Sequence, residues 1–336
     1  MCHKTSRKST IKLIIRIHLS ILMLCIFACS DLNDEQKYQT PYYEHFLPIQ
    51  NYCGNTQNVH PKVLFFPDSL FGHRYWMCYS PYPKGNPKYE NPCIAHSDDG
   101  IHWHNIDKNP LDVPQNTKLR YNSDPHLLYN KQTQQLELWF RYANEQSQEE
   151  IIYRMRSTDG ANWTEKEMLL KNSGARNCAL YLSPAAYFEN GKYHIWSVST
   201  KPYAINYYES TTGTDWQFVR RIELSYQYGE KSFRPWHIDV IHEDGIYQLT
   251  IMVKEISPGT TWCLFYSESE DNEHWSDPAI MLLPRANHWD EQLYRSSLVK
   301  TDQGYSLYYS ARRDSKYGIG LCQAASPLAF ISQQAQ

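Results

Sequence analysis

Glycine is scarce in this chain: 14 of its 336 residues, against 27 tyrosines and 10 tryptophans. No segment holds its apolar residues at the 3.6-residue period of an amphipathic helix, which excludes a helix-rich fold. Neither sign of charge prevails, with 33 basic against 36 acidic residues and a formal net charge of −3. There is no basic footprint, so nucleic acid is not an expected partner. No CxxC pair occurs, and the histidines, His102-Trp103-His104 included, lack ligand spacing in the sequence. No zinc site and no other cofactor is therefore expected. After residue 40 no linker rich in Gly, Ser or Pro interrupts the chain, which implies one domain.

The first residues are an address. Lys4, Arg7, Lys8, Lys12 and Arg16 make a basic stretch ahead of an apolar run, Leu19 to Ala28, too short to span a bilayer as a helix. The run ends in Ile26-Phe27-Ala28-Cys29, which resembles the lipobox of bacterial lipoproteins. That resemblance implies a signal peptide over 1–28, lipidation of Cys29 and a flexible tether over 29–41; an ordinary cleaved secretory peptide is the alternative. Ser30-Asp31-Leu32-Asn33-Asp34-Glu35 resembles the acidic export tag of surface lipoproteins, so an outer-membrane or cell-surface, lipid-anchored location is expected. Of nine cysteines, Cys53, Cys78, Cys93, Cys178, Cys263 and Cys322 remain in the body, several inside apolar strand patterns that suit buried free thiols.

What is abundant is repetition. The pattern S-x-x-[G/N]-x-x-W reads Ser97/Gly100/Trp103, Ser157/Gly160/Trp163, Ser210/Gly213/Trp216 and Ser269/Asn272/Trp275. Successive tryptophans lie 60, 53 and 59 residues apart, the length of a four-stranded unit with loops. In step with it, strands begin at His60, Asp124, Ser183, His237 and Ser296, most followed by a polar turn and then an aromatic-rich strand. Five strand starts and four turns predict an all-β fold over 42–336, a five-bladed β-propeller of four-stranded antiparallel blades. The fifth unit lacks its tryptophan, and the stretch around 42–55 is expected to supply the strand that closes the ring.

In such a ring the Ser–Gly–Trp turns join the third and fourth strands and fall on the face opposite the inner-strand starts. Their recurrence is structural. The other face collects His60, Asp124, Ser183, His237 and Ser296 at the channel mouth, joined by Arg120, Arg141, Arg234, Trp236, Asp239, Glu255, Arg295 and Arg312 as candidate substrate contacts. Arg120, Arg234 and Arg295 suit a sugar carboxylate, or pair with neighbouring acids.

The chain resembles the five-bladed propeller glycosidases, the group of glycoside hydrolase families 32, 43 and 117. The residues that carry this are Asn122-Ser123-Asp124-Pro125 and turns such as Ser157-Thr158-Asp159-Gly160-Ala161-Asn162-Trp163. Sialidase Asp-boxes place one more residue between Ser and Gly. The resemblance implies carboxylates at the inner-strand starts of blades one to three, acting as base, pKa modulator and acid, and members of the group often hold a metal ion in the channel, which nothing in this sequence demands. Only Asp124 matches, at the modulator position; His60 and Ser183 stand near the other two. The expected activity is hydrolysis of a poly- or oligosaccharide by Asp124 paired with Glu90 or Glu291, with His237 as an alternative acid. A non-catalytic glycan-binding lipoprotein on the same scaffold is the alternative reading. The partners expected are a carbohydrate and, through the lipid, a membrane, with the protein acting as a monomer.

Overall fold

A computed structural model describes residues 44–174 and 178–332. The expected signal peptide, the expected lipidation site Cys29 and the expected tether lie outside the described residues. Five antiparallel sheets stand around one axis as the blades of a propeller. Blade 1 holds β1 (Asn58–Phe65), β2 (Tyr75–Pro81), β3 (Cys93–Ser97) and β4 (His104–Asn105). Blade 2 holds β5 (Arg120–Asn130), β6 (Gln135–Asn144), β7 (Glu149–Ser157) and β8 (Glu167–Ser173). Blade 3 holds β9 (Leu182–Glu189), β10 (Lys192–Thr200), β11 (Tyr203–Ser210) and β12 (Gln217–Ile222). Blade 4 holds β13 (Tyr226–Tyr228), β14 (Lys231–Glu243), β15 (Ile246–Glu255), β16 (Trp262–Ser269) and β17 (Ala279–Leu282). Blade 5 holds β18 (Gln292–Thr301), β19 (Gly304–Arg313) and β20 (Lys316–Ala324), followed by helix α1 (Pro327–Ser332).

The strand count departs from a uniform four in two places. Blade 4 gains the short β13, paired to the start of β14. Blade 5 has three strands among the described residues, and the segment ahead of blade 1 meets its edge through the backbone bond from Leu47 N to Ile319 O at 2.7 Å. Packing adds to the closure. Leu47 and Ile49 are buried with Val63, Tyr308, Ile319 and Leu321 between blades 5 and 1.

Four further apolar clusters fill the other inter-blade gaps, for example Trp76, Leu127, Leu138 and Phe140 between blades 1 and 2. Each middle strand is covered on both faces by neighbouring blades. That explains why β2, Tyr-Trp-Met-Cys-Tyr-Ser-Pro, is buried throughout instead of alternating. Each large apolar side chain so buried is worth about 1.5–3 kcal/mol, so most of the fold's stability lies between blades.

The repeated turn locks this packing. Ser157 Oγ accepts from Gly160 N at 2.8 Å, Asp159 Oδ1 accepts from the backbone N–H groups of Ala161 and Asn162, and Trp163 Nε1 donates to Gly160 O at 2.9 Å. Gly160 has φ +75°, and a Cβ there would lie 2.2 Å from Trp76 Cη2 in the preceding blade, so no larger residue fits. Asn272 takes the glycine position in the fourth turn because its side chain is used: Trp196 Nε1 donates to Asn272 Oδ1 at 3.0 Å.

Candidate active site

The inner strands β1, β5, β9, β14 and β18 line the axis, and each slips register near its start. In the first three blades the slip falls on His60-Pro61, Asp124-Pro125 and Ser183-Pro184, with φ of 57°, 50° and 52° at the first residue. A non-glycine residue held in the left-handed region ahead of proline is strained, and a bulge re-aims its side chain. Three blades repeat this device at the same place. In blades 4 and 5 the slips carry Trp236 and Tyr294-Arg295.

The bulges turn His60 and Asp124 toward the axis, where His237 meets them. His60 Nε2 lies 3.6 Å and His237 Nδ1 3.1 Å from Asp124 Oδ1, and the two imidazoles stand 5.0 Å apart. All three residues are buried, and one donor atom from each falls within 4.8 Å of the others. Both nitrogens of His60, both of His237 and Oδ1 of Asp124 are out of alignment for hydrogen bonds within the protein. Buried polar atoms are rarely left so. Two of these separations are near the roughly 3–3.5 Å between ligand atoms bonded to one divalent ion at about 2.1 Å, and two histidines with one carboxylate form a common donor set. The residues fit a transition-metal ion.

Surrounding groups tune the cluster. Glu90 Oε1 lies 3.1 Å from His60 Nδ1, the far nitrogen of that ring. Burial, then the charge of Asp124, push the Glu90 carboxyl well above the usual range, with Arg141 opposing. Burial also works to raise Asp124, but His60, His237 and Arg295 outweigh it and hold its carboxyl well below the usual range. Burial lowers His60 strongly and His237 to about 4, so both rings are neutral and able to offer lone pairs. Ser123 Oγ donates to Asp124 Oδ2 at 3.1 Å, and Arg141, held by Glu150 at 2.9 Å, donates to Ser123. Tyr294 stacks on His60 with ring centroids 5.2 Å apart and meets His237 edge-on at 4.3 Å.

The remaining sequence candidates divide. Arg295 is buried in the channel, 4.0 Å from Asp124 Oδ1, and donates to the carbonyls of Pro125 and Pro184, bracing two inner strands. Asp239 lies two residues deeper than His237 and pairs with Lys62 at 2.7 Å, so its charge is already matched. Ser183 Oγ accepts from Ile238 N, and Ser296 Oγ donates to Thr250, which uses both hydroxyls structurally. Arg120 opens β5, with its Nε buried and without a hydrogen-bond partner. Arg234, Trp236 and Arg312 gather on the rim over blades 4 and 5. Two candidates are not brought to the centre: Glu291 is exposed, 3.7 Å from Arg313, and Glu255 is tied to Lys231 and to Thr261 N.

Lys254, which the sequence places on this face as the end of a second strand, lies in the site, and Trp262, Tyr294 and Tyr317 join it without having been singled out in sequence. Lys254 Nζ sits 3.4 Å from the ring centroid of Trp236 and 4.4 Å from that of Trp262. Burial, then Arg234 and Arg312, lower it to about 7. Arg234 lies over Tyr203 at 4.3 Å, and Arg312 over Trp262 at 5.0 Å.

No family model matches the chain. A curated relative from Flavonifractor plautii, an A type blood N-acetyl-alpha-D-galactosamine deacetylase, is 30% identical over 142 residues, 40% of this chain. The chain spans only 18% of that relative's length. A crystal structure of an N-acetylgalactosamine deacetylase from F. plautii, in complex with blood group B trisaccharide, superposes with TM-score 0.72 at 19% identity, covering 82% of this chain and 93% of that one. An exo-1,5-alpha-L-arabinanase from a bovine ruminal metagenomic library superposes with TM-score 0.57 at 12% identity, covering 81% and 94%. At these identities the solved structures establish a shared five-bladed fold, whose neighbours include glycoside hydrolases and a carbohydrate deacetylase.

Proposed function

We propose that this chain is a metal-assisted carbohydrate deacetylase, removing the acetyl group from an N-acetylated sugar at the mouth of the propeller. The observation that carries the reading is the buried His60–Asp124–His237 cluster, with its polar atoms unpartnered on one face. The likeness to a deacetylase supports it. In the reaction water adds to the amide carbonyl, the C–N bond breaks, and the nitrogen leaves as an amine with a proton from water while acetate is released. A divalent ion held by His60, Asp124 and His237 would supply Lewis-acid polarisation and a more acidic water.

The chain's own residues prepare that site. Glu90 Oε1 stands 3.1 Å from Nδ1 of His60, where a carboxylate would hold the ring once Nε2 served the cluster. Ser123, backed by Arg141, occupies Oδ2 of Asp124 and leaves Oδ1 for the cluster. Tyr294 walls both imidazoles and restricts water. Export and anchoring through Cys29 would place this activity at the outer cell surface; loss of lipid labelling in Cys29→Ser checks that part.

A second reading, glycoside hydrolysis, is favoured by one observation: Glu90 has its proton affinity raised while Asp124 has its own lowered, the asymmetry a glycosidase requires of its two carboxyls. One experiment separates the readings. Purified mature protein is incubated with N-acetylated oligosaccharides, and both acetate and new reducing ends are measured, with and without a chelator. Acetate release abolished by chelation supports the first reading. New reducing ends without acetate, unaffected by chelation, overturn it for the second.

A further inference from the structure

Beside the cluster, the rim over blades 4 and 5 carries positive charge that the protein does not neutralise. Arg234 and Lys254 are register partners on β14 and β15, and Arg312 approaches from β19 across the same edge. Among the described residues none of the three has a carboxylate within ion-pair distance, whereas Lys62, Arg141 and Arg295, buried near the axis, have one each. Lys254 is half-buried and rests on the faces of Trp236 and Trp262. Arg234 keeps a buried Nε with no hydrogen-bond partner, and Arg312 spends Nε on Gln292 and Nη1 on Tyr317. Three cations crowded together repel one another, and an arrangement of this kind is relieved by an incoming anion. The indole faces between them suit a sugar ring.

We infer that this cationic, indole-lined rim is a subsite for an anionic group, a carboxylate or a sulfate ester, on the sugar next to the one that reacts. The inference rests on the deacetylase reading of the same site and gives it a substrate class: acidic, N-acetylated oligosaccharides. Guanidinium and ammonium groups bind such oxyanions through charge-assisted hydrogen bonds, while a neutral neighbour would leave all three cations unpaired.

The test is calorimetric binding to the native mature protein, using three disaccharide probes. One joins an N-acetylhexosamine to a neutral hexose, one to a hexuronate, and one to a sulfated hexose. At least one anionic probe is expected to bind about tenfold tighter than the neutral one at about 50 mM salt, with the advantage shrinking by about 500 mM. The uronate probe alone gaining would identify a carboxylate subsite, and the sulfated probe alone a sulfate subsite. Lys254→Met and Arg312→Gln are each expected to lower the anionic-to-neutral affinity ratio by about fivefold or more, and Lys254→Arg to keep it. Equal affinity for all three probes would overturn the inference, and so would a ratio that Lys254→Met and Lys254→Arg reduce alike. The salt dependence of the unaltered protein decides the matter even if a variant does not fold. Acetate release is measured in parallel. Anionic preference without acetate release refutes the deacetylase reading alone, whereas equal acetate release and equal binding across the probes refute the subsite alone.

Discussion

The two faces of the ring are built from the same strands and treat their polar atoms in opposite ways. On the turn face, Ser157, Asp159, Gly160 and Trp163 satisfy one another within seven residues, and the turns at Gly100 and Gly213 repeat the Trp-to-carbonyl bond. Only the fourth turn departs, because Arg220 takes the carbonyl of Asn272 and Trp275 Nε1 is left without a partner. On the other face, atoms of His60, Asp124 and His237 are buried and unaligned with any protein partner. The contrast teaches where to look. Repetition marks places where the fold needs the same hydrogen bonds in every blade, and chemistry gathers where the blades differ.

Four experiments sharpen or break this contrast. Asp124→Ala, or His237→Ala, is expected to abolish metal retention and lower acetate release by at least ~10²-fold, read by elemental analysis and an acetate assay. A variant that keeps both would remove the site from this face. Gly160→Ala on the turn face is expected to cost about 2–4 kcal/mol in urea unfolding, since its Cβ meets Trp76 and its φ is positive. Its acetate release per folded molecule should not change; a lower value would show the faces to be coupled. Glu90→Gln keeps the shape beside His60 and is expected to weaken metal affinity about 10–100-fold, by competition with a chromogenic chelator.

The smallest effect concerns Lys254. Arg234 and Arg312 face it and depress it along with burial, Asp124 opposes, and the result is about 7 against about 10.4 for an unfolded lysine. Between those values the unfolded chain holds one more proton, so the Lys254 contribution makes stability rise with pH across that window. Its penalty is fully present below about 7. Lys254→Met should therefore stabilise the protein most below pH 7, with the gain shrinking toward pH 10 in parallel thermal melts. A gain independent of pH would mean that packing, not charge, is at work.

Much of this was legible in the sequence, and the reason is periodicity. The Ser–Gly–Trp spacing located four turns, and the inner-strand starts placed His60, Asp124 and His237 on one face. What could not be read was which of those side chains would be left without partners. Ser183 and Ser296 begin strands like the others, but their hydroxyls are spent on a neighbouring blade. Glu291 stands two residues before Leu293, a buried residue of the inner strand, and points outward; that direction is settled by packing. His60 and His237 show no ligand spacing because 177 residues separate them, and only closure of the ring brings them together. One signal was available and unread. His60-Pro61, Asp124-Pro125 and Ser183-Pro184 put proline behind the same position in three blades, and that is where the backbone is strained.

The Lys62–Asp239 pair, with His126 3.9 Å from the same carboxylate and Arg295 spanning two inner strands, forms a floor across the axis. From the opposite face a cavity of about 340 Å³ reaches up only as far as Lys62. The propeller is thus a cup and not a pipe. A polymer cannot thread through it, so on the deacetylase reading a sugar would reach the cluster only from above. On that reading the products would back out past Trp236, Trp262 and Tyr294, the way the sugar came. Traffic would be single-lane, and a product that clung to the rim would hold up the next substrate.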